Sequence, residues 1–393
     1  MAFYSFIRSL LKLFGDIVME QVYKIVSSEN FRLKSAVFLL SVGMILYFHQ
    51  RIFRSEELRI LVYAFSLPGI AFTFYLLFKS INKYDIIIVL YTLTVVVWAS
   101  FTREVSLFKN FMNLNVLTYL SIGLLAGKNK FPSSAAKTIF IFISGSVAYF
   151  YFIKGYNPSQ DIYLFEMNRN QIPVYVVGTA LFSYITDYIE GKQRPVIWIS
   201  FISLLVSTIS MSRTGTTIAF FLFALVVIYN IRYLFIIYSD NYLSNSKQKG
   251  ILSATAIISF LIIVSMIGNE VYKSSRYSTE GIKSSSTMER FKLWTSFSEQ
   301  MTLARAFTGF KFLDERFKNA HNSYLMLWSY CGIAAFPVYI FIFYLLFKFF
   351  RESFYISGIF GLILLYPMAE HVIFIRPHDY LIYTLFFYYF KER

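Results

Sequence analysis

Near the start of the chain polar residues recur every fourth position, at Arg8, Lys12, Asp16, Glu20 and Lys24, while Phe3, Phe6, Leu10, Phe14, Ile17 and Ile25 fill the opposite side. A helix with that stripe lies in the membrane interface with its apolar face down. No apolar core followed by a small-x-small cleavage site precedes the charged run from Glu29 to Lys34, so residues 1–34 are expected to stay attached as a cytoplasmic amphipathic helix. Beyond them the stripe gives way to continuous apolar runs. About twelve are readable, at 35–48, 58–78, 86–101, 111–126, 138–153, 171–188, 195–210, 214–230, 250–267, 333–349, 354–369 and 380–390. Several fall short of the ~20 residues of a straight crossing, and their aromatic and Lys/Arg flanks extend them into the headgroups.

The pattern changes again from about Gly268 to Asn322, too long a stretch for a simple connection. Ser286-Thr287-Met288-Glu289 fits a capping box, and Phe291, Trp294, Phe297 and Met301 follow at helical spacing. A helix of about 20 residues starting near Thr287 is expected there. A second, shorter helix is expected after His321, with Asn322 as its N-cap and Gly332 separating it from the next span. The chain thus divides into the amphipathic helix 1–34, transmembrane helices one to nine over 35–267, a long outward loop over 268–322, and an interfacial helix with transmembrane helices ten to twelve over 323–393. The predicted fold class is an all-α polytopic membrane protein.

Composition agrees: 57% of the residues are hydrophobic and 15% charged, with a mean hydropathy of +0.55. Those values exclude an ordinary soluble domain. The net charge of +15 would suggest nucleic acid on a soluble protein. On a membrane protein it is read by side, and no nucleic-acid partner is expected. With the N-terminus inside, alternate segments on that side carry about 19 Lys/Arg against about nine in the short outside segments. Both termini are therefore expected in the cytoplasm and the long loop outside. The single cysteine, Cys331, excludes an intramolecular disulfide, and no Cys/His spacing suits a metal. No metal and no cofactor are expected, and Cys331 is read as buried and inert at a helix start.

Three motifs carry ionisable groups at span boundaries. Ser212-Arg213-Thr214-Gly215 puts an arginine where free backbone N–H groups of a helix start could join it in holding an anion; interfacial anchoring is the plainer alternative. Arg290, in Arg290-Phe291-Lys292-Leu293-Trp294, falls in a first helical turn, where a cation opposes the helix dipole. That placement suits an anionic ligand, or else an ion pair with Glu289 or Asp314. His321-Asn322-Ser323-Tyr324-Leu325 offers a histidine able to exchange a proton near neutral pH, or an ordinary interfacial polar group. Glu370-His371 and Arg376-Pro377-His378-Asp379 form a further ionisable group; Asp379 in it, and the separate pair Glu56-Glu57, are read as solvated acids rather than metal ligands.

Read in order, the boundary arginine, the outer loop with Arg-x-x-x-Trp, Gly309-Phe310 downstream, and His-Asn-x-Tyr-Leu with a later glycine resemble the O-antigen ligase and O-antigen polymerase superfamily. The resemblance covers about the last half of the chain. It implies a GT-C-like architecture in the bacterial inner membrane and a periplasmic site. It also implies glycosyl transfer from an undecaprenyl-pyrophosphate-linked oligosaccharide without sugar nucleotide or metal. The positions it would assign to catalysis are His321, Arg290 and Arg213. Substrate contacts would come from Arg213, Arg290, Asn322, Tyr324, Trp294, Arg376 and His378. Membrane lipid, a chain-length regulator and a flippase are the implied partners.

Cationic side chains stabilise a departing pyrophosphate without a metal, each charge pair at ~4 Å being worth about 4 kcal/mol at an effective dielectric near 20. A polymerase joining lipid-linked repeat units is favoured over a ligase that hands the glycan to lipid A-core, because polymerases are the more numerous and divergent group. A lipid-linked oligosaccharide flippase or other transporter is the rival of different class. Against it stand spans nearly free of charge and the absence of a visible half-repeat. Convergence of Arg213, Arg290 and His321 on one outer-leaflet cavity is the expectation that separates transfer from transport.

Overall fold

A computed structural model of the chain describes residues 28–77, 81–102, 115–157, 163–242, 286–312, 320–370, 372–373, 376 and 378–391. Fourteen α-helices are resolved among them. The first five are α1 (Glu29–Phe53), α2 (Glu56–Leu77), α3 (Lys83–Thr102), α4 (Asn115–Gly127) and α5 (Ser133–Ala148, prolonged by a π turn over Tyr149–Ile153). A two-stranded hairpin, β1 (Tyr163–Leu164) and β2 (Met167–Asn168), leads through a 3-10 turn, Arg169–Gln171, into α6 (Ile172–Ile189). Then come α7 (Ile197–Ile209), α8 (Arg213–Tyr242), α9 (Ser286–Gln300), α10 (Leu303–Thr308), α11 (Ser323–Cys331), α12 (Phe336–Glu352), α13 (Phe354–Ala369) and α14 (Asp379–Tyr389).

Among the described residues, seven stretches are long and apolar enough to cross a membrane: α1, α2, α3, α5 with its π turn, α6 with the preceding turn, the first part of α8, and Ser323–Glu352. Asn115–Gly127, Ile197–Ile209 and Phe354–Met368 are shorter apolar helices. The chain is an all-α multi-pass membrane protein. Helices occupy eleven of the twelve predicted segments. The ninth, 250–267, lies outside the described residues, as does the predicted amphipathic helix up to residue 27.

Three boundaries differ from the sequence reading. Ser28 accepts a hydrogen bond from the Phe31 amide, with Glu29 in the first turn. Helix α1 therefore begins six residues before the apolar run. The expected 20-residue helix in the long loop stops at Gln300, because Thr302 accepts from the Arg305 amide and starts α10. Cys331 is buried as expected, but it closes α11 instead of opening a helix.

Helix α6 is the axis of the bundle. Nearly nine-tenths of its span is buried in protein, against less than half for every other candidate span. It meets α5, α7, α8, α13 and α14. Close approach replaces hydrophobic driving force between such helices. Gly123 and Gly127, one turn apart on α4, lie against Tyr383 and Phe387 of α14, where added Cβ atoms would sit 2.4 and 2.5 Å from those side chains.

Ionic groups gather at the two ends. At the end where α1 begins, Lys128 pairs with Asp85 at 2.6 Å and Lys130 with Glu29 at 3.7 Å. There Asp187 takes both Lys137 at 2.8 Å and Lys192 at 3.1 Å. At the opposite end the Glu166 amide donates to the Ile52 carbonyl, Tyr151 donates to Ser210, and Ser323 donates to the Glu370 carbonyl. The sequence motifs lie toward this second end.

Candidate functional site

Helices α9 and α10 form a cap over this end, held by a small core of their own. Leu293 and Phe297, four residues apart, bury one face of α9 against Phe310, Phe312, Met326 and Tyr330. Trp98 donates to the Thr308 carbonyl and Trp328 to the Ala306 carbonyl, fixing α10 to α3 and α11. Gly332, with φ +56, lies where a Cβ would fall 2.1 Å from the Phe307 carbonyl oxygen. Only glycine allows both that backbone and that approach.

Trp294 donates its indole N–H to the Ala320 carbonyl at 3.1 Å. This tethers α9 to the residue before His321. Arg290, one turn earlier on the same side of α9, reaches across to Glu370, its Nη2 donating to Oε1 at 2.8 Å. His321 Nδ1 lies 3.7 Å from the other carboxylate oxygen of Glu370, in ion-pair range for a protonated ring but too long for a hydrogen bond. The three side chains are 31, 33 and 18% exposed for Arg290, His321 and Glu370, so the group is half-buried with an open face. Arg290 pairs with Glu370, 80 residues away, where the sequence suggested Glu289 or Asp314.

The backbone at His321 is held at φ +48, a region sparsely populated outside glycine. Such a residue costs about 1–3 kcal/mol and persists where its surroundings over-determine it. Here they do. Asn322 accepts from the Tyr324 and Leu325 amides as the expected N-cap, and its Nδ2 donates to the Met368 carbonyl at 3.1 Å. Tyr324 donates to the Leu364 carbonyl at 2.8 Å. Ser323 donates to the Glu370 carbonyl at 3.0 Å and accepts from Val372 and Ile373. Asn322, Tyr324 and Trp294 are thus spent on holding the site.

Arg213 opens α8 just after Met211, which turns the chain at φ +53, and the Ser212 hydroxyl caps the Gly215 amide. An added Cβ at Gly215 would lie 2.3 Å from Pro173, so the helix start abuts the start of α6. The buried Arg169 lies in the turn before α6, where that turn meets α8. Farther down, Gly358 of α13 packs on Leu225 of α8. Arg213 and Glu370 are each twelve residues from that contact, about 18 Å along antiparallel helices. They therefore emerge at similar height.

The last ionisable group is placed differently from the sequence reading. After Glu370, Val372, Ile373 and His378 are buried in the bundle. His378 is 1% exposed and donates from Nε2 to the Val174 carbonyl at 2.5 Å. Asp379, read as solvated, is 3% exposed, and its Oδ2 accepts from the Arg376 amide at 2.9 Å. It closes one end of an apolar groove of about 240 Å³ between α3, α12 and α14, lined by Tyr84, Ile88, Val95, Phe341 and Phe386 among others. From Tyr84 to Val95 the groove follows about 16 Å of helix.

The residues that sequence reasoning missed are Glu370 as the hub, Ser323 as its anchor and the buried Arg169. Glu370 and Ser323 stood within motifs the sequence marked, but their roles had no local signal, since each acts through a partner distant in the chain, and Arg169 had no signal at all. Among the described residues no group of three His, Cys, Asp or Glu side chains could hold a metal ion. Comparison of the chain with family models, with curated proteins and with solved structures returns no match.

Proposed function

We propose that the protein is a surface-polysaccharide polymerase of the O-antigen type, a GT-C-like glycosyltransferase with twelve membrane crossings. It transfers an undecaprenyl-pyrophosphate-linked glycan onto another lipid-linked repeat unit at the periplasmic face of the bacterial inner membrane. The observation that carries the reading is the meeting of Arg290 and His321 on Glu370, under a helical cap and at the end where Arg213 emerges.

The chemistry follows from these groups. An acceptor hydroxyl attacks the anomeric carbon, the bond from that carbon to the pyrophosphate oxygen breaks, and undecaprenyl pyrophosphate leaves with the electron pair. His321 takes the hydroxyl proton, its Nδ1 lying 3.7 Å from the Glu370 carboxylate. Arg213 and Arg290 stabilise the charge on the leaving group. The pairing of Arg290 with Glu370 gives the arginine a fixed aim before substrate arrives, which is the condition under which such stabilisation is effective. The apolar groove suits one extended isoprenoid chain.

The test is reconstitution of the full chain in liposomes with a single lipid-linked repeat unit, with and without chelator, followed by product sizing. Longer chains in both conditions are expected. Unchanged single repeats, or repeats appearing only on the opposite leaflet, would overturn the reading in favour of transport.

A further inference from the structure

Behind the site, between α1, α2, α4, α6 and the start of α14, lies a second cavity of about 20 Å³. Tyr47, Tyr119, Tyr175 and Tyr380 line it together with Ser66 and His378. Two of its lining residues each carry a buried polar atom that makes no hydrogen bond, Ser66 Oγ and His378 Nδ1. Leaving two such atoms unsatisfied costs about 1–3 kcal/mol each.

The chemistry of an occupant follows from the partners. A carbonyl only accepts, so the bond to Val174 fixes the ring proton of His378 on Nε2 and leaves Nδ1 as a bare acceptor. Burial pushes the His378 pKa down to about 4, which keeps the ring neutral in the physiological range. An anion is therefore repelled by the Nδ1 lone pair. A cation is disfavoured by Arg51, whose charge interacts with Tyr175 in the cavity wall. What remains is a neutral group that donates to Nδ1 and also engages the Ser66 hydroxyl. The volume just exceeds the ~10–15 Å³ that one water needs.

We infer that this cavity is a built site for a single water, which donates to His378 Nδ1, accepts from Ser66 Oγ, and ties α2 to the segment that runs from Glu370 to α14. Gly178 is part of the site, because an added Cβ would lie 2.5 Å from His378 Nε2. The far end of the same segment is the one that Ser323 anchors beside Glu370. The inference stands apart from any catalytic role.

The experiment is nitrogen NMR of the full chain in lipid nanodiscs with labelled histidine. Four histidines give a countable spectrum, and His378→Gln assigns the signal. The expected result is a neutral ring protonated at Nε2 from pH 8 to pH 5, with magnetisation passing from water protons to Nδ1 and lost or reduced severalfold in Ser66→Ala. A proton on Nδ1, titration near pH 6.5, or transfer unaffected by Ser66→Ala would overturn the proposal. The unfolding midpoint should also be the same in sodium chloride and sodium nitrate. A chloride-specific rise would assign the cavity to an anion and refute the water.

Discussion

Replacing Glu370 with Gln keeps the shape of the side chain and removes the charge that Arg290 and His321 share. At 2.8 Å and an effective dielectric near 20, the Arg290 pair has a gross attraction of about 6 kcal/mol. Desolvation and residual exposure offset most of it, leaving a coupling of about 1–3 kcal/mol. A double-mutant cycle isolates that figure. Wild type, Glu370→Gln, Arg290→Gln and the double variant are unfolded at equilibrium in mixed micelles, and the non-additive part is read directly. The double variant should be more stable than the sum of the single losses implies, because neither charge is then left unpaired in a half-buried place. In the transfer assay Glu370→Gln should lose about 10²-fold or more in rate, the scale of a positioned base. Additivity within ~0.5 kcal/mol would show that the two side chains do not act as a pair, and the assignment of Glu370 as hub would fall.

Further outcomes follow from the same geometry. The lowered pKa of His378 means that the unfolded chain binds a proton between pH 6.5 and about 4 while the native chain does not. Stability should therefore be full above pH 6.5 and fall by about 3 kcal/mol toward pH 4, and His378→Gln should flatten that slope in pH-dependent unfolding. Gly332→Ala should detach the cap, because its Cβ meets the Phe307 carbonyl and φ +56 is unfavourable for alanine. Loss of amide protection in α9 and α10, with α4 and α14 unaffected, is the expected hydrogen-exchange result. Trp294→Phe removes one hydrogen bond to Ala320 and should cost about 1 kcal/mol in unfolding, with a larger fractional loss of transfer rate.

Much of the frame was legible in the chain because membrane insertion writes long, local signals. The apolar runs located the helices, and the N-cap at Asn322 was readable since capping needs only neighbours. The helix from Ser286 was overextended because Phe291, Trp294, Phe297 and Met301 keep a helical period, whereas the cap at Thr302 restarts the chain. Arg290 and His321 were identifiable as ionisable groups at boundaries, but their common partner was not. Glu370 is brought to them by the packing of α13 and by the fold of its own segment against Ser323. His378 and Asp379 sit beside Arg376 and Pro377 in sequence and so resemble a wet loop. The chain instead turns inward there, and helix packing beyond the reach of local pattern decides it.

In the proposed reaction His321, set by Glu370, acts as the base of glycosyl transfer beside two arginines. His321→Asn tests it most directly, because asparagine tolerates the left-handed backbone at φ +48 and still fits the N-cap approach. In liposomes supplied with one lipid-linked repeat unit, this variant should unfold at the wild-type midpoint within ~0.5 kcal/mol, yet leave the repeat units unjoined. Glycan chains of normal length from His321→Asn would rule out His321 as the base.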